Sequence, residues 1–207
     1  MRELRTSVRN YYSGTVKRHG PTPLGVDWPN AASQYLRFVQ LLKICNFETA
    51  FSLNDLGCGY GALLELLAMR HGEAEIAYRG IDLSSSMVAA ARERWADRKH
   101  AKFVSGARCG QLADYSLSSG IFNVRLGHPV GAWETYVRSI LSDMHVCSRI
   151  GFAANFMLPL DAEPMETELY RSEPRRWVDF CGQFGGDVEL LGDYGLREFT
   201  LLVRRKP

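Results

Sequence analysis

The sequence contains no apolar run near the ~18 residues that a membrane-spanning helix requires. Its opening residues, Met1, Arg2, Glu3, Leu4, Arg5 and Thr6, carry no signal-peptide pattern. Both absences lead to the expectation of a soluble, cytoplasmic protein with no membrane partner. Cysteine is sparse. The five residues Cys45, Cys58, Cys109, Cys147 and Cys181 are odd in number and widely spread, without a Cys-x-x-Cys. Neither a zinc site nor a disulfide framework is suggested, and no metal is expected. A dominant charge is also lacking: 25 Lys and Arg against 23 Asp and Glu leave a net charge of +2. That is too little to imply a nucleic-acid partner. There is no internal repeat and no low-complexity run, which argues against a solenoid or a disordered linker.

What is present supports a packed core. Hydrophobic residues make up 46% of 207, a size and composition that fit one domain, with or without a small attachment. Charge is distributed unevenly: residues 1–50 hold seven Lys/Arg and three Asp/Glu. Residues 161–173 hold the acids Asp161, Glu163, Glu166, Glu168 and Glu173. These stretches read as solvated faces.

The chain is organised around residues 51–67. Phe51, Leu53 and Leu56 suit a buried parallel strand. Gly57, Gly59 and Gly61 alternate through a turn in which missing Cβ atoms allow a sharp bend and close approach of a ligand. Leu63, Leu64, Leu66, Leu67 and Ala68 then follow at helical spacing, and the amides at that helix start are expected to face a ligand crevice. Gly57-x-Gly59-x-x-Ala62 fits a dinucleotide fingerprint, in which a pyrophosphate would sit on the helix N-terminus. Asp55, two residues before the first glycine, separates the readings. Its carboxylate would repel a pyrophosphate but would suit a cationic amine.

Around this stretch the chain alternates helix and strand. A short helix opens residues 1–20, with Leu4, Val8 and Tyr11 or Tyr12 at spacings of three and four. Three prolines fix a loop over 21–29 that holds Asp27 and Trp28. Asn30 is a candidate cap for a helix over 31–45. Strands follow at 75–83, 102–107, within 114–125, and at 150–158. Helices are expected from the Ser84 cap to about Trp95, over 133–146 and over 175–184. Residues 188–194 and 198–203 are joined tightly and should pair antiparallel. The reading is an α/β, Rossmann-like sheet of seven strands, mostly parallel, with a C-terminal antiparallel hairpin and helices on both faces. Residues 51–207 form the core, and residues 1–50 form an N-terminal helical lid.

Asp55, Leu56, Gly57, Cys58, Gly59, Tyr60 and Gly61 together resemble motif I of the class I S-adenosylmethionine-dependent methyltransferases. The likeness extends over roughly residues 50–206, through Asp82 at the end of the second strand and the closing hairpin. It implies a cofactor, S-adenosylmethionine, with its amino-acid end near Asp55, Gly57, Cys58, Gly59 and Gly61, and its ribose on Asp82. Leu83, Met87, Ala107 and Asn123 complete the cofactor candidates within this stretch, and the N-terminal lid, which lies outside the likeness, adds Tyr12. The family often carries an acid after the third strand for the adenine amino group. Here Gly106, Ala107 and Arg108 stand in its place.

Tyr11, Trp28, Arg125, Asn155 and Tyr170 are candidates for the substrate side, and His19, His128, Tyr11 and Tyr12 are candidates for a base, with no spacing that selects among them. The expected activity is methyl transfer to an oxygen, nitrogen or carbon of a small molecule. A rival is an NAD-dependent oxidoreductase, although the Tyr-x-x-x-Lys pair of short dehydrogenases is absent from the chain. Another is a cofactor-binding module without catalysis. Oligomeric state is left open.

Overall fold

The computed structural model describes residues 1–161 and 168–206. Among the acids noted above, Glu163 and Glu166 fall outside the described residues. Strands β1 (Phe51–Leu56), β2 (Ile76–Asp82), β3 (Ala101–Ser105), β4 (Ala113–Ser118), β5 (Ser148–Met157), β6 (Asp187–Leu191) and β7 (Glu198–Arg204) make one sheet. Its order is β3-β2-β1-β4-β5-β7-β6. β1 to β5 pair in parallel, and β7 runs antiparallel to both β5 and β6. The seven strands and the closing hairpin agree with the sequence reading.

Two apolar layers cover the sheet, because successive strand residues point to opposite faces. Phe51, Leu53, Tyr78, Phe103, Tyr115 and Leu117 pack against α2 (Ala31–Leu42), α3 (Ala62–Arg70) and α4 (Ser85–Arg94). Leu56, Ile81, Phe152, Phe156, Phe199 and Leu201 meet α1 (Arg2–His19), α5 (Val130–Val146) and α6 (Pro174–Gly182) on the other face. The stripe Trp133, Val137, Ile140, Leu141 and Met144 of α5 is wholly buried, as its 3.6-residue period requires. Burying each such side chain stabilises the fold by about 1.5–3 kcal/mol, so packing rather than propensity holds the helix in place.

Several boundaries differ from expectation. α1 extends unbroken over the whole of Arg2–His19 because both Leu4 and Val8 are buried against α5 and the sheet. α2 stops at Leu42, three residues short of Cys45. α5 starts at Val130, directly after Pro129. β6 stops at Leu191, where Gly192 and the left-handed Asp193 (φ 54°) turn the chain. Both expected caps form: Asn30 Oδ1 accepts the Ser33 N–H at 2.8 Å, and Ser84 Oγ accepts the Met87 N–H at 3.3 Å. The loop over 21–29 contains a 3₁₀ turn, Pro23–Val26.

Candidate active site

β1 lies between β2 and β4, so the connections leaving its carboxyl end diverge and open a crevice. A cleft of about 910 Å³, counted to its open mouth, occupies that position. Its floor is the β1–α3 turn and the end of β2: Asp55, Gly57, Cys58, Gly59, Asp82 and Leu83. Met87, Gly106 and Ala107 line one end, and Ser119, Gly120, Ile121 and Tyr136 another. The N-terminal segment supplies the roof through Val8, Arg9, Tyr12, Val26, Trp28, Gln34 and Phe38.

The turn is rigid for local reasons. Gly57 adopts φ 81°, and a Cβ there would overlap the Ile121 side chain. The Gly57 and Cys58 amides donate to Ile81 O at 2.7 and 3.1 Å, the Gly59 amide donates to Asp82 Oδ2 at 2.9 Å, and the Gly61 amide donates to Cys58 O at 2.9 Å. These N–H groups are spent within the protein and form no cradle for an anion, in line with the repulsion of a pyrophosphate expected from Asp55. What faces the cleft is a pair of carboxyl groups.

Asp55 is buried and accepts the Tyr78 hydroxyl on Oδ2. Burial pushes its carboxyl up to about 7, aided by the nearby Asp82 charge and opposed by the Tyr78 hydrogen bond. Asp82 is pushed up to about 6 by burial, against the pull of the Ser84 and Gly59 N–H donors. No Lys, Arg or His pairs with either acid among the described residues. An unmet demand for positive charge therefore sits on one wall. Ser119 Oγ, at the end of β4, is buried without a hydrogen-bond partner among the described residues and lines the same space. Two acids without a counter-cation and an unpartnered hydroxyl fit a ligand that carries a cation and polar groups. Burial raises the Cys58 thiol far above its ordinary range, so Cys58 packs as a small neutral side chain rather than acting as a nucleophile.

The expected cofactor residues Tyr12, Asp55, Gly57, Cys58, Gly59, Asp82, Leu83, Met87 and Ala107 all line this cleft, as does Trp28. Gly61 does not. A Cβ there would lie 2.6 Å from Trp95 Nε1, so that glycine serves the packing of Trp95 on α3. Asn123 is turned away in a loop closed by its N–H to Gly120 O (3.2 Å), and its carbonyl accepts the Tyr170 N–H. Asn155 is fully buried, with Gly120 N–H and Glu198 occupying its amide, and it presents nothing to a substrate. Arg125 and Tyr170 line a separate hollow near the starts of α5 and α6, where the Tyr170 hydroxyl donates to Glu134 at 3.1 Å. Tyr11 stands outside the cleft, hydrogen-bonded to Asp27.

Neither histidine reaches the site. His19 is exposed in the last turn of α1, where a basic residue complements the helix dipole. His128 is held in a tight loop, exchanging backbone and side-chain bonds with Arg125. The cleft residues that sequence reasoning missed include Arg9, Gln34, Ser119 and Tyr136. Tyr136 follows Trp133 by three and shares its helix face, so helical spacing could have found it. Ser119 and Gln34 had no such signal. Among the described residues, no group of three or more His, Cys, Asp or Glu could hold a metal, and no helix is long and apolar enough to cross a membrane.

Comparison with known proteins agrees with this geometry. The family described as "Methyltransferase domain" matches residues 54–144. The Mycobacterium tuberculosis protein Rv1506c, provisionally named a methyltransferase, is 43% identical over 166 residues, covering 79% of this chain and 99% of its own. Among solved structures, the Synechocystis magnesium protoporphyrin IX methyltransferase with bound S-adenosylhomocysteine has a TM-score of 0.68 at 16% identity, covering 97% of this chain and 99% of that one. The human N-acetylserotonin methyltransferase, in complex with S-adenosylmethionine, has a TM-score of 0.68 at 15% identity, covering 99% of this chain and 59% of that one. At such identities the structural matches establish the shared fold. The close sequence relative goes further and disfavours the nicotinamide alternative: the chain belongs to the class I S-adenosylmethionine-dependent methyltransferases.

Proposed function

We propose that the protein transfers the methyl group of S-adenosylmethionine to an oxygen, nitrogen or carbon of a small molecule held beneath the N-terminal segment. The observation that carries this reading is the meeting of Asp55 and Asp82 on the cleft floor, neither of them paired with a cation among the described residues. In this reading Asp55 faces the ammonium group, Asp82 accepts from the ribose, and Leu83, Met87 and Ala107 surround the adenine. Ser119 has hydrogen-bonding capacity to spare and meets a polar atom of the cofactor or acceptor. Residues 1–50 act as the lid, with Tyr12 and Trp28 as its contacts. The solved relatives named for magnesium protoporphyrin IX and N-acetylserotonin support a small-molecule acceptor.

When bound, the cofactor supplies a methyl group already made electrophilic by its sulfonium. The protein's share is placement and exclusion of water, and good orientation alone is worth up to roughly 7–11 kcal/mol of barrier. Burial pushes the Tyr12 phenol upward and the Tyr136 phenol to about 12, so both keep their protons near neutral pH. They act as hydrogen-bond donors that orient the acceptor, not as bases. An amine, or an acceptor ionised in solution, then needs only desolvation and alignment.

Calorimetric titration with S-adenosylmethionine and with NADH tests the cofactor assignment. Saturable binding of the sulfonium compound alone is expected, and binding of NADH alone would sink it. Transfer of a labelled methyl group to one of a panel of small amines and phenols would identify the acceptor class.

A further inference from the structure

Trp28 and Gly120 touch within the cleft wall: a Cβ on Gly120 would overlap Trp28 Cζ2. Behind them, each is gripped by one end of a single buried polar chain. The Arg37 guanidinium lies 3.9 Å from the centre of the Trp28 ring. Arg37 forks onto Glu198, Nε to Oε2 at 2.8 Å and Nη2 to Oε1 at 2.5 Å. Glu198 Oε2 also accepts Asn155 Nδ2 at 2.8 Å, and Asn155 Oδ1 accepts the Gly120 N–H at 2.8 Å. The contacts close into a ring drawn from the 21–29 loop, α2, β7, β5 and the loop after β4. Arg37, Glu198 and Asn155 are 6%, 3% and 0% exposed, and none of them lines the cleft.

We propose that Arg37, Glu198 and Asn155 are positioning residues that lock the Trp28 indole over Gly120, and thereby fix the distance between the lid and the β4 end of the cofactor cleft. This rests on the reading that the cleft takes S-adenosylmethionine. The energetics favour a geometric role. A buried ion pair costs desolvation and is commonly no more stabilising than apolar residues of the same volume. A planar fork, in contrast, sets two bond directions at once while its flat face holds a ring. Lysine retains the charge but has neither the fork nor the face.

Binding of S-adenosylhomocysteine to wild type, Arg37→Lys, Trp28→Phe and the double variant, by calorimetry alongside thermal melting, tests the proposal. Wild type should bind. Each single variant should lose roughly fivefold or more in affinity, and the double variant should lose no more than Trp28→Phe alone, because both changes remove one contact. A purely structural Arg37 would instead give additive losses. Affinity unchanged in Arg37→Lys, or additive losses, would overturn the latch while leaving the cofactor reading intact. Failure of the wild type to bind would overturn both. Should Arg37→Lys unfold, Gly120→Ala replaces it in the cycle. Its added methyl displaces the indole, so it too should be non-additive with Trp28→Phe, and additivity there counts against the proposal.

Discussion

The floor and the roof of the cleft are built in different ways. The floor is a contiguous run, Asp55 to Gly59, with Asp82 and Leu83 beside it at the end of β2, set on a strand bonded on both sides and backed by buried leucines of α3. Its shape follows from local chemistry: glycine at φ 81°, amides committed to Ile81 and Asp82, and no room for larger residues. The roof comes from three separate pieces of residues 1–42 that join no strand of the sheet. It is held by Leu4 and Val8 against α5 and the sheet, by the 2.8 Å Ser13–Ser84 hydroxyl pair, and by the Arg37–Glu198 fork. A floor made this way tolerates little change. A roof assembled from three separate pieces, of which α2 is packed into the core through Phe38, Leu41 and Leu42, can be altered piece by piece, which places selectivity for the acceptor more naturally there.

The contrast can be broken at the point where the two halves touch. Gly59 Cβ would lie 3.1 Å from Val26 Cγ1, and Gly59 has φ 53°. Gly59→Val is therefore expected to force floor and roof apart, at a cost of about 1–2 kcal/mol for the left-handed backbone alone. Binding of S-adenosylhomocysteine should become undetectable by calorimetry while circular dichroism retains the folded spectrum. Binding at wild-type strength would show that the cleft is not the cofactor site.

A smaller loss is expected from Asp82→Ala. It removes the acceptor of a charge-assisted hydrogen bond worth about 1.5–3 kcal/mol, so affinity should fall by roughly ten- to a hundredfold. The roof variant Tyr12→Ala should lose less than Asp82→Ala in cofactor affinity and more in KM for the acceptor. The reverse order in direct titrations would invert the assignment of floor to cofactor and roof to acceptor.

The smallest effect is on pH dependence, and its sign is fixed by the carboxyl groups. Asp55 and Asp82 titrate higher in the folded protein, about 7 and about 6, than in the unfolded chain, where Asp lies near ~3.9. The folded state therefore holds protons more tightly. The stability these two groups contribute is fully present below pH ~4 and is lost as pH rises through 6 and 7. A cationic ligand prefers the ionised acids. Affinity for S-adenosylmethionine should therefore increase a few-fold from pH 5.5 to 7.5, over the range in which the melting temperature of the unliganded protein declines. Asp55→Asn should shrink both slopes to the share that Asp82 contributes, and slopes unchanged in that variant would assign them to other groups.

Reading the sequence recovered most of the floor because its signals are local. The strand, the glycine spacing and the acid two residues upstream all lie within one short stretch, and Asp82 ends a recognisable strand. The roof was only partly legible. Tyr12 and Trp28 stood out as aromatics on a helix and in a proline-fixed loop, but the same criterion also selected Tyr11, which faces Asp27 outside the cleft. Arg125 and His128 follow the carboxyl end of β4 and His19 stands in the N-terminal segment, but position along the chain says nothing about the direction of a side chain. Asn155 was correctly placed near the carboxyl end of β5, yet its amide turns inward to Gly120 and Glu198.

Residue order and spacing alone determined the alternation of helix and strand, the closing hairpin and the acidic glycine turn, because periodicity and turn chemistry act over a few neighbouring residues. Tertiary structure alone decided which side chains meet across the cleft. Arg37 and Glu198 are 161 positions apart, and Asn155 and Gly120 are 35 apart. Only sheet order and helix packing bring them within bonding distance, and no local pattern records such a meeting.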